Sequence, residues 1–305
     1  ELEPNTYDNY LTILKSIFIP HLGAAKLEDI KTIDLQELFV TLSKNRKPAT
    51  LQRYKVVLSN VFNRATDWGY LKENPVNKIK VKGLENHPKT DTFTIEELKN
   101  IISLVDSEGD IQWSLIVHLA LYCGLRRSEI IGLTWDKVNF ENKVITISHS
   151  LTLDHRNIRN QLRLKSTKSS NVRFVPINNK VLTLLKKQKE KKIEDRSICK
   201  DKWYNDGNFY VISTDFGKPY RPDSISKRWR RFRIRHGIRR LGFHYLRHSC
   251  ATFLYHNNVD LKTISIILGH SNIRTTADLY THIYDEAIMN AAKTFNKLDI
   301  QNTDG

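Results

Sequence analysis

The sequence predicts a mainly α-helical protein with a small β-sheet, divided into two domains. Three observations carry that prediction. Apolar residues recur at helical spacing near the N-terminus and again through the last third of the chain. Runs of β-branched and aromatic residues are confined to the middle, at Val144-Ile145-Thr146-Ile147, Arg173-Phe174-Val175-Pro176 and Phe209-Tyr210-Val211-Ile212. Between the helical regions lies a polar stretch with no apolar period, carrying Lys78, Lys80, Lys82, Gly83 and Pro88.

A first helix is predicted from Tyr7, Tyr10, Leu11, Leu14 and Ile17. A second starts near Asp34, read as its N-cap, with Leu35, Leu38, Phe39 and Leu42 on one face. Lys44-Asn45-Arg46-Lys47-Pro48 interrupts the pattern. A third helix puts Leu51, Tyr54, Leu58, Val61, Phe62 and Ala65 on its apolar side. Its other side carries Gln52, Arg53, Lys55, Ser59, Asn63 and Arg64, which suit phosphate contact or plain solvation equally. It ends near Gly69, and Asn74-Pro75 follows. These elements make a helical unit over 1–80, with a linker at 81–91. Thr94-Ile95-Glu96-Glu97 is a capping-box signature and opens a second domain, 92–305. Helices follow near 95–105 and 111–123, then the three strands. A basic helix runs from Asp223 with Ile225, Trp229, Phe232 and Ile234 as its apolar side. A last stripe after Asp285 carries Ile288, Ala291, Ala292, Phe295 and Leu298.

Charge narrows the function. The 305 residues hold 49 Lys and Arg against 33 Asp and Glu, a net of +16. A folded chain this basic calls for a polyanion, with nucleic acid first and an anionic membrane surface second. No apolar run approaches the ~18 residues of a membrane span, and the N-terminus has no signal-peptide pattern. Cys123, Cys199 and Cys250 are scattered and odd in number, which fits a reducing cytoplasm and neither a disulfide framework nor a paired metal site. No phosphate-binding Gly-x-x-x-x-Gly-Lys loop and no cluster of carboxylates for two metals is present. The chain starts without methionine, its single Met being Met289, so a trimmed N-terminus is expected.

Four separated segments hold the residues wanted around a phosphodiester. They are Gly124-Leu125-Arg126-Arg127-Ser128-Glu129; Thr167-Lys168-Ser169-Ser170, running on to Arg173 and Pro176; His244-Tyr245-Leu246-Arg247-His248; and Leu268-Gly269-His270 with Tyr280 ten residues on. Taken singly, each has an ordinary reading. Arg126 suits a helix terminus, His244 and His270 suit a core, and Tyr280 suits packing.

Taken in order and spacing, the Gly-Leu-Arg-x-Ser-Glu, His-x-Leu-Arg-His and Leu-Gly-His…Tyr motifs resemble those of the tyrosine recombinases, the family of phage and transposon integrases and Xer proteins. The resemblance spans most of the chain. It implies a two-lobed DNA clamp: a SAM-like helical core-binding domain at 1–80 and a mixed α+β catalytic domain at 92–305. By resemblance, Tyr280 is the nucleophile, and Tyr255 and Tyr284 lack its spacing from His270. Arg126 is the first catalytic arginine, with Glu129 in support. Lys168 is the catalytic lysine on a β-hairpin, with Lys165 as its competitor. His244 and Arg247 form the histidine–arginine pair, with His248 beside them, and His270 occupies the position filled by His or Trp elsewhere. Arg53, Lys55 and Arg64 in the first domain, and Lys227, Arg228 and Arg231 in the basic helix, are the candidate DNA contacts.

The implied reaction uses no cofactor and no metal. A tyrosine attacks a DNA phosphate, leaving a 3′-phosphotyrosyl link and a free 5′-hydroxyl, and strands exchange through a Holliday junction. Guanidiniums offer paired donors to the dianionic transition state, a lysine can protonate the departing 5′ oxygen, and the phenolate is a good enough leaving group to make the link reversible. The implied partners are duplex DNA with specific core sites and three further copies of the chain, exchanging C-terminal helices, with accessory DNA-bending proteins able to join. The expected place is the cytoplasm, on the nucleoid. The expected task is integration and excision of a mobile element by a chain lacking its arm-binding domain. An Xer-type resolvase, a type IB topoisomerase-like enzyme and a silent DNA-binding protein are the rival readings.

Overall fold

The computed structural model describes residues 4–81, 92–154, 161–166 and 172–270. They form two compact units, one over 4–81 and one over 92–153, 162–166 and 172–270. The second carries most of the predicted site.

The first unit is all helix among its described residues. Helix α1 (Pro4–Ile13) widens into a π-turn over Leu14–Phe18 and continues as α2 (Ile19–Leu22). Pro20, with no N–H to donate, lies just beyond the widening. Helix α3 (Thr32–Ser43) starts two residues before the predicted N-cap. Asp34 is its third helical residue and reaches back, Oδ2 accepting from the Lys31 N–H at 2.9 Å. The carboxylate therefore serves the helix start from inside it. Helix α4 (Pro48–Asp67) opens on a proline, which suits the first helical position, and Gly69 follows in a left-handed turn (φ 79°). Leu35, Phe39, Val57, Leu58, Phe62 and Val76 form the core. Buried Asn74 closes the unit. Its Nδ2 donates to Asn63 Oδ1 at 2.6 Å and to the Ser59 carbonyl at 3.0 Å, and its Oδ1 accepts from the Val76 N–H at 2.9 Å. Part of the polar face of α4 thus anchors the segment that follows the helix.

The second unit opens with α5 (Ile95–Ser107), where Thr94 and Glu97 cap one another as predicted. Helix α6 (Ile111–Tyr122) is apolar on all sides and runs through the core, with Trp113, Leu115 and Leu119 fully buried. After the short α7 (Arg127–Ile131) come β1 (Val138–Asn139), β2 (Val144–Ile147), β3 (His149–Asp154), β4 (Gln161–Ser166) and β5 (Arg173–Pro176). They make an antiparallel sheet ordered β1-β2-β5 and a separate β3-β4 ribbon. Then follow α8 (Asn179–Cys199), α9 (Pro222–Arg235), α10 (His244–His256) and α11 (Leu261–Leu268).

One expectation fails here, and one element was missed. Residues 209–212 form no ladder. Their backbone partners are the Leu133 carbonyl, the Trp135 N–H and the Gln188 side chain, with only an isolated bridge between Thr134 and Tyr210. An apolar run fully buried in a core reads like a strand whatever satisfies its backbone. Helix α8 was not anticipated. Val181, Leu184, Leu185, Gln188 and Lys192 point inward, but a buried glutamine and lysine break the apolar stripe that sequence periodicity detects. Lys192 is accepted there because its Nζ donates to Asp195 at 2.8 Å and to the Thr214 carbonyl at 3.2 Å.

Candidate active site

Local turns bring the motif residues together. Gly124 takes φ 61°, turning the chain out of α6 at a place where a Cβ would lie 2.5 Å from Leu268 Cδ2. Arg126 follows in extended conformation as the N-cap of α7. Glu129, in the first turn of that helix, reaches back to it. Oε2 accepts from the Arg126 N–H at 2.8 Å and Oε1 from Arg126 Nη1 at 2.9 Å. Strand alternation points Arg173 and Val175 of β5 inward, with Arg173 opposite Ile147. The Arg173 guanidinium then clasps the same carboxylate, Nη1 to Oε1 at 3.0 Å and Nη2 to Oε2 at 2.7 Å.

The Leu-Gly-His motif ends α11. Gly269 is left-handed (φ 65°); its N–H donates to Ile266 O at 3.0 Å, and the His270 N–H donates to Ser265 O at 3.1 Å. This is the Schellman pattern. Among the described residues, the next three carbonyls are met by side chains. Arg173 Nε donates to Ile267 O at 2.7 Å, Arg247 Nη2 to Leu268 O at 2.6 Å, and Arg126 Nη2 to Gly269 O at 2.9 Å. Arg247 Nη1 also donates to Gly124 O at 2.6 Å. Cations at a helix C-terminus are favoured by its partial negative charge. Helix α10 starts at His244, so His244, Arg247 and His248 share one face of its first turn. The His244 and His248 rings meet edge to face, 4.6 Å between centroids.

The electrostatics follow from this crowding. Burial alone would raise the Glu129 carboxyl; the Arg173 hydrogen bonds, then the charges of Arg173 and Arg126, outweigh it and hold the group below the usual carboxylate range. Burial, then Arg126, pulls the Arg247 guanidinium down to about 9, so it stays protonated at neutral pH. Burial, then Arg247 and Arg126, pushes His270 down to about 4. His244 is lowered in the same direction by desolvation, then by His248 and Arg247. His244 is exposed and His270 half-buried. His248 is lowered too, by burial and then Arg247. At neutral pH the three imidazoles are uncharged, each able to donate one N–H and accept one proton.

Of the predicted site residues, Arg126, Glu129, Arg247 and His270 converge on the end of α11, and His244 and His248 lie beside Arg247. Lys168 and Tyr280 lie outside the described residues; Lys165 is half-buried on β4. Among the candidate DNA contacts, Arg53, Arg64 and Arg231 are exposed, and Lys227 is exposed beside Asp223 at 2.8 Å. Lys55 instead donates to the Ile79 carbonyl at 2.6 Å, and Arg228 pairs with Asp110 at 2.7 Å and lies 4.6 Å over the Trp113 ring. Sequence reasoning missed Arg173. The available signal was its inward parity with Val175 on a strand: a charged residue on the buried face needs a buried partner.

Two family descriptions match the chain: Phage integrase family over residues 91–287, and Phage integrase, N-terminal SAM-like domain, over 1–43. A tyrosine recombinase XerC-like protein of Caldanaerobacter subterraneus subsp. tengcongensis is 31% identical over 293 residues, covering 92% of this chain and 74% of that protein. The ICEBs1 integrase of Bacillus subtilis is 26% identical, covering 92% and 75%. Among solved structures, the Tn1549 transposon integrase in complex with a circular intermediate DNA aligns with TM-score 0.82 at 21% identity, covering 96% of this chain and 95% of that one. A lambda integrase tetramer bound to a Holliday junction aligns with TM-score 0.69 at 19% identity, covering 92% and 72%. At these identities the structural likenesses speak to the fold alone.

Imidazoles held neutral favour the folded state above their ordinary value of 6.5, where folding asks no proton of them. Below it the unfolded rings bind protons first, so stability is lost as pH falls from about 6.5 towards 4. The melting temperature is expected to drop across that window, and His270→Gln to flatten the drop. An unchanged slope in that variant would mean that His270 titrates at its ordinary value.

Proposed function

The chain belongs to the phage integrase family, whose members are tyrosine recombinases, and on that footing we propose that it cleaves and rejoins duplex DNA through a phosphotyrosyl link at Tyr280. It is a DNA strand transferase of the integrase type. The observation that carries the site assignment is the meeting of Arg126, Arg247 and His270, from three distant segments, at one helix terminus.

In this reading the Tyr280 oxygen attacks a DNA phosphorus, and its proton leaves to a neighbouring base as the bond forms. Arg126 spends donors on the Glu129 carboxylate and the Gly269 carbonyl, Arg247 on the Gly124 and Leu268 carbonyls, and both direct remaining N–H groups at the nonbridging oxygens, where charge builds up. Neutral His244 and His270 add donors and can pass a proton. Lys168, or Lys165 in its place, protonates the departing 5′ oxygen. The 5′-hydroxyl of a partner strand then attacks the phosphotyrosine, reforming a diester and releasing the phenol. Bond energy is conserved in the link, so no nucleotide is hydrolysed. Arg53, Arg64, Lys227 and Arg231 supply sequence-independent phosphate contacts, and 1–80 and 92–305 act as core-binding and catalytic domains.

The task we assign is integration and excision of a mobile element, in the cytoplasm, by four protomers on synapsed core sites with DNA-bending helpers. The relatives named as integrase and as transposases of Tn916 and Tn1545 support that choice. Among the described residues, no helix is long and apolar enough to cross a membrane. Leu98, Ile102, Leu121, Pro176, Phe253 and Leu254 line an apolar groove of about 540 Å³ in the second unit. The sequence stripe Ile288, Ala292 and Phe295 has the chemistry to fill this groove on a neighbouring protomer.

Three outcomes test this. On a nicked suicide duplex carrying the core site, wild type is expected to give a denaturation-resistant protein–DNA adduct and Tyr280→Phe none; an adduct in the variant moves the nucleophile elsewhere. Arg126→Lys should keep DNA affinity but lose about a hundredfold or more in adduct rate, because a point charge lacks the bidentate fork. Cleavage at the wild-type rate would remove Arg126 from the site. Phe295→Glu should leave single-site binding intact and abolish the four-protomer complex in sedimentation. Normal assembly of that variant would rule out exchange through the stripe.

A further inference from the structure

We propose that Arg173 is a positioning residue for strand cleavage: it clasps the Glu129 carboxylate so that Arg126 keeps its charge for the DNA phosphate, and it ties down the end of α11 ahead of His270. The inference rests on the strand-transfer reading above and adds a residue to which that reading gives no role.

The geometry is specific. Arg173 and Glu129 are both buried, at 6% and 3% exposure, and joined by two parallel hydrogen bonds. Arg126, more than a third exposed along its side chain, shares only one carboxylate oxygen through its guanidinium. An anion beside a catalytic arginine is a hazard, since it draws off the charge meant for the substrate. Glu129 is nonetheless useful, because it fixes Arg126 through both backbone and side chain. Arg173 reconciles the two demands. It neutralises the carboxylate from the buried side and leaves the outer face of Arg126 electrically intact.

Its third donor acts elsewhere. Nε holds Ile267 O, one carbonyl before the Arg247 contact and two before that of Arg126. One guanidinium therefore sets both the carboxylate and the helix end that orients His270. A lysine could neutralise Glu129 but could not hold the three acceptors at once. Gly269 belongs to the same device, since a Cβ there would stand 2.6 Å from Arg173 Nη1.

The test uses the full chain on the nicked suicide duplex, with adduct rate, DNA affinity by anisotropy and thermal melting as readouts. Arg173→Gln is expected to melt cooperatively, to bind DNA within about threefold of wild type and to cleave about a hundredfold more slowly, the scale of losing a preorganised charge contact. With Glu129 unmasked in that variant, the double variant Arg173→Gln/Glu129→Gln should recover about tenfold in rate, a coupling that a merely structural role would not produce. Arg173→Lys should fall between Arg173→Gln and wild type. Cleavage by folded Arg173→Gln within about threefold of wild type, or no recovery in the double variant, overturns the proposal. Should Arg173→Gln fail to fold, Arg173→Lys, which keeps the counter-charge but loses the hold on the Ile267 carbonyl, carries the test, and cleavage by it at the wild-type rate overturns the proposal. A wild-type chain that forms no adduct overturns the strand-transfer reading itself, which separates the two failures.

Discussion

Three consecutive carbonyls at the C-terminus of α11 receive three guanidiniums, from β5, from α10 and from the turn before α7. The glycine cap makes this possible, because the Schellman turn folds the backbone back and leaves those oxygens without N–H partners among the described residues. The oxygens would be costly to bury unpaired, and so would the arginines. Each satisfies the other, and segments more than a hundred residues apart are tied to one point.

The arrangement is cationic by design of its parts. Three guanidiniums stand against one buried carboxylate, and the partial negative charge of a helix end covers some of the difference. The neighbouring histidines respond by staying neutral. A site built this way holds a standing preference for an anion at its open edge. Because its donors are already fixed, little reorganisation is needed when charge develops there.

The elements away from the site follow the same economy of partners. The basic side of helix α9 reads in sequence as one open surface, yet Arg228 packs on Trp113 and pairs with Asp110, and Arg235 pairs with Glu108. On α4, Ser59 and Asn63 turn to Asn74. Polar residues on a helix can face solvent, a ligand or another loop. Spacing separates only the apolar face from the rest.

The helical character, the capping of α5, the starts of α6 and the basic helix to within a residue, and the residues gathered around α11 were legible in the chain, because periodicity, caps and ordered motifs are local signals that backbone chemistry reads directly. Helix α8, the unladdered run at 209–212 and the buried pairing of Arg173 were not. Each depends on a partner distant in sequence: Gln188 on Val211, Lys192 on Thr214, Arg173 on Glu129 and Ile267. The sequence by itself determined which basic side chains recur in ordered motifs and where the amphipathic, well-capped helices lie. Only the tertiary structure decided which arginine faces outward and which is buried as counter-charge, since desolvation and hydrogen-bond pairing exist only after the segments have met.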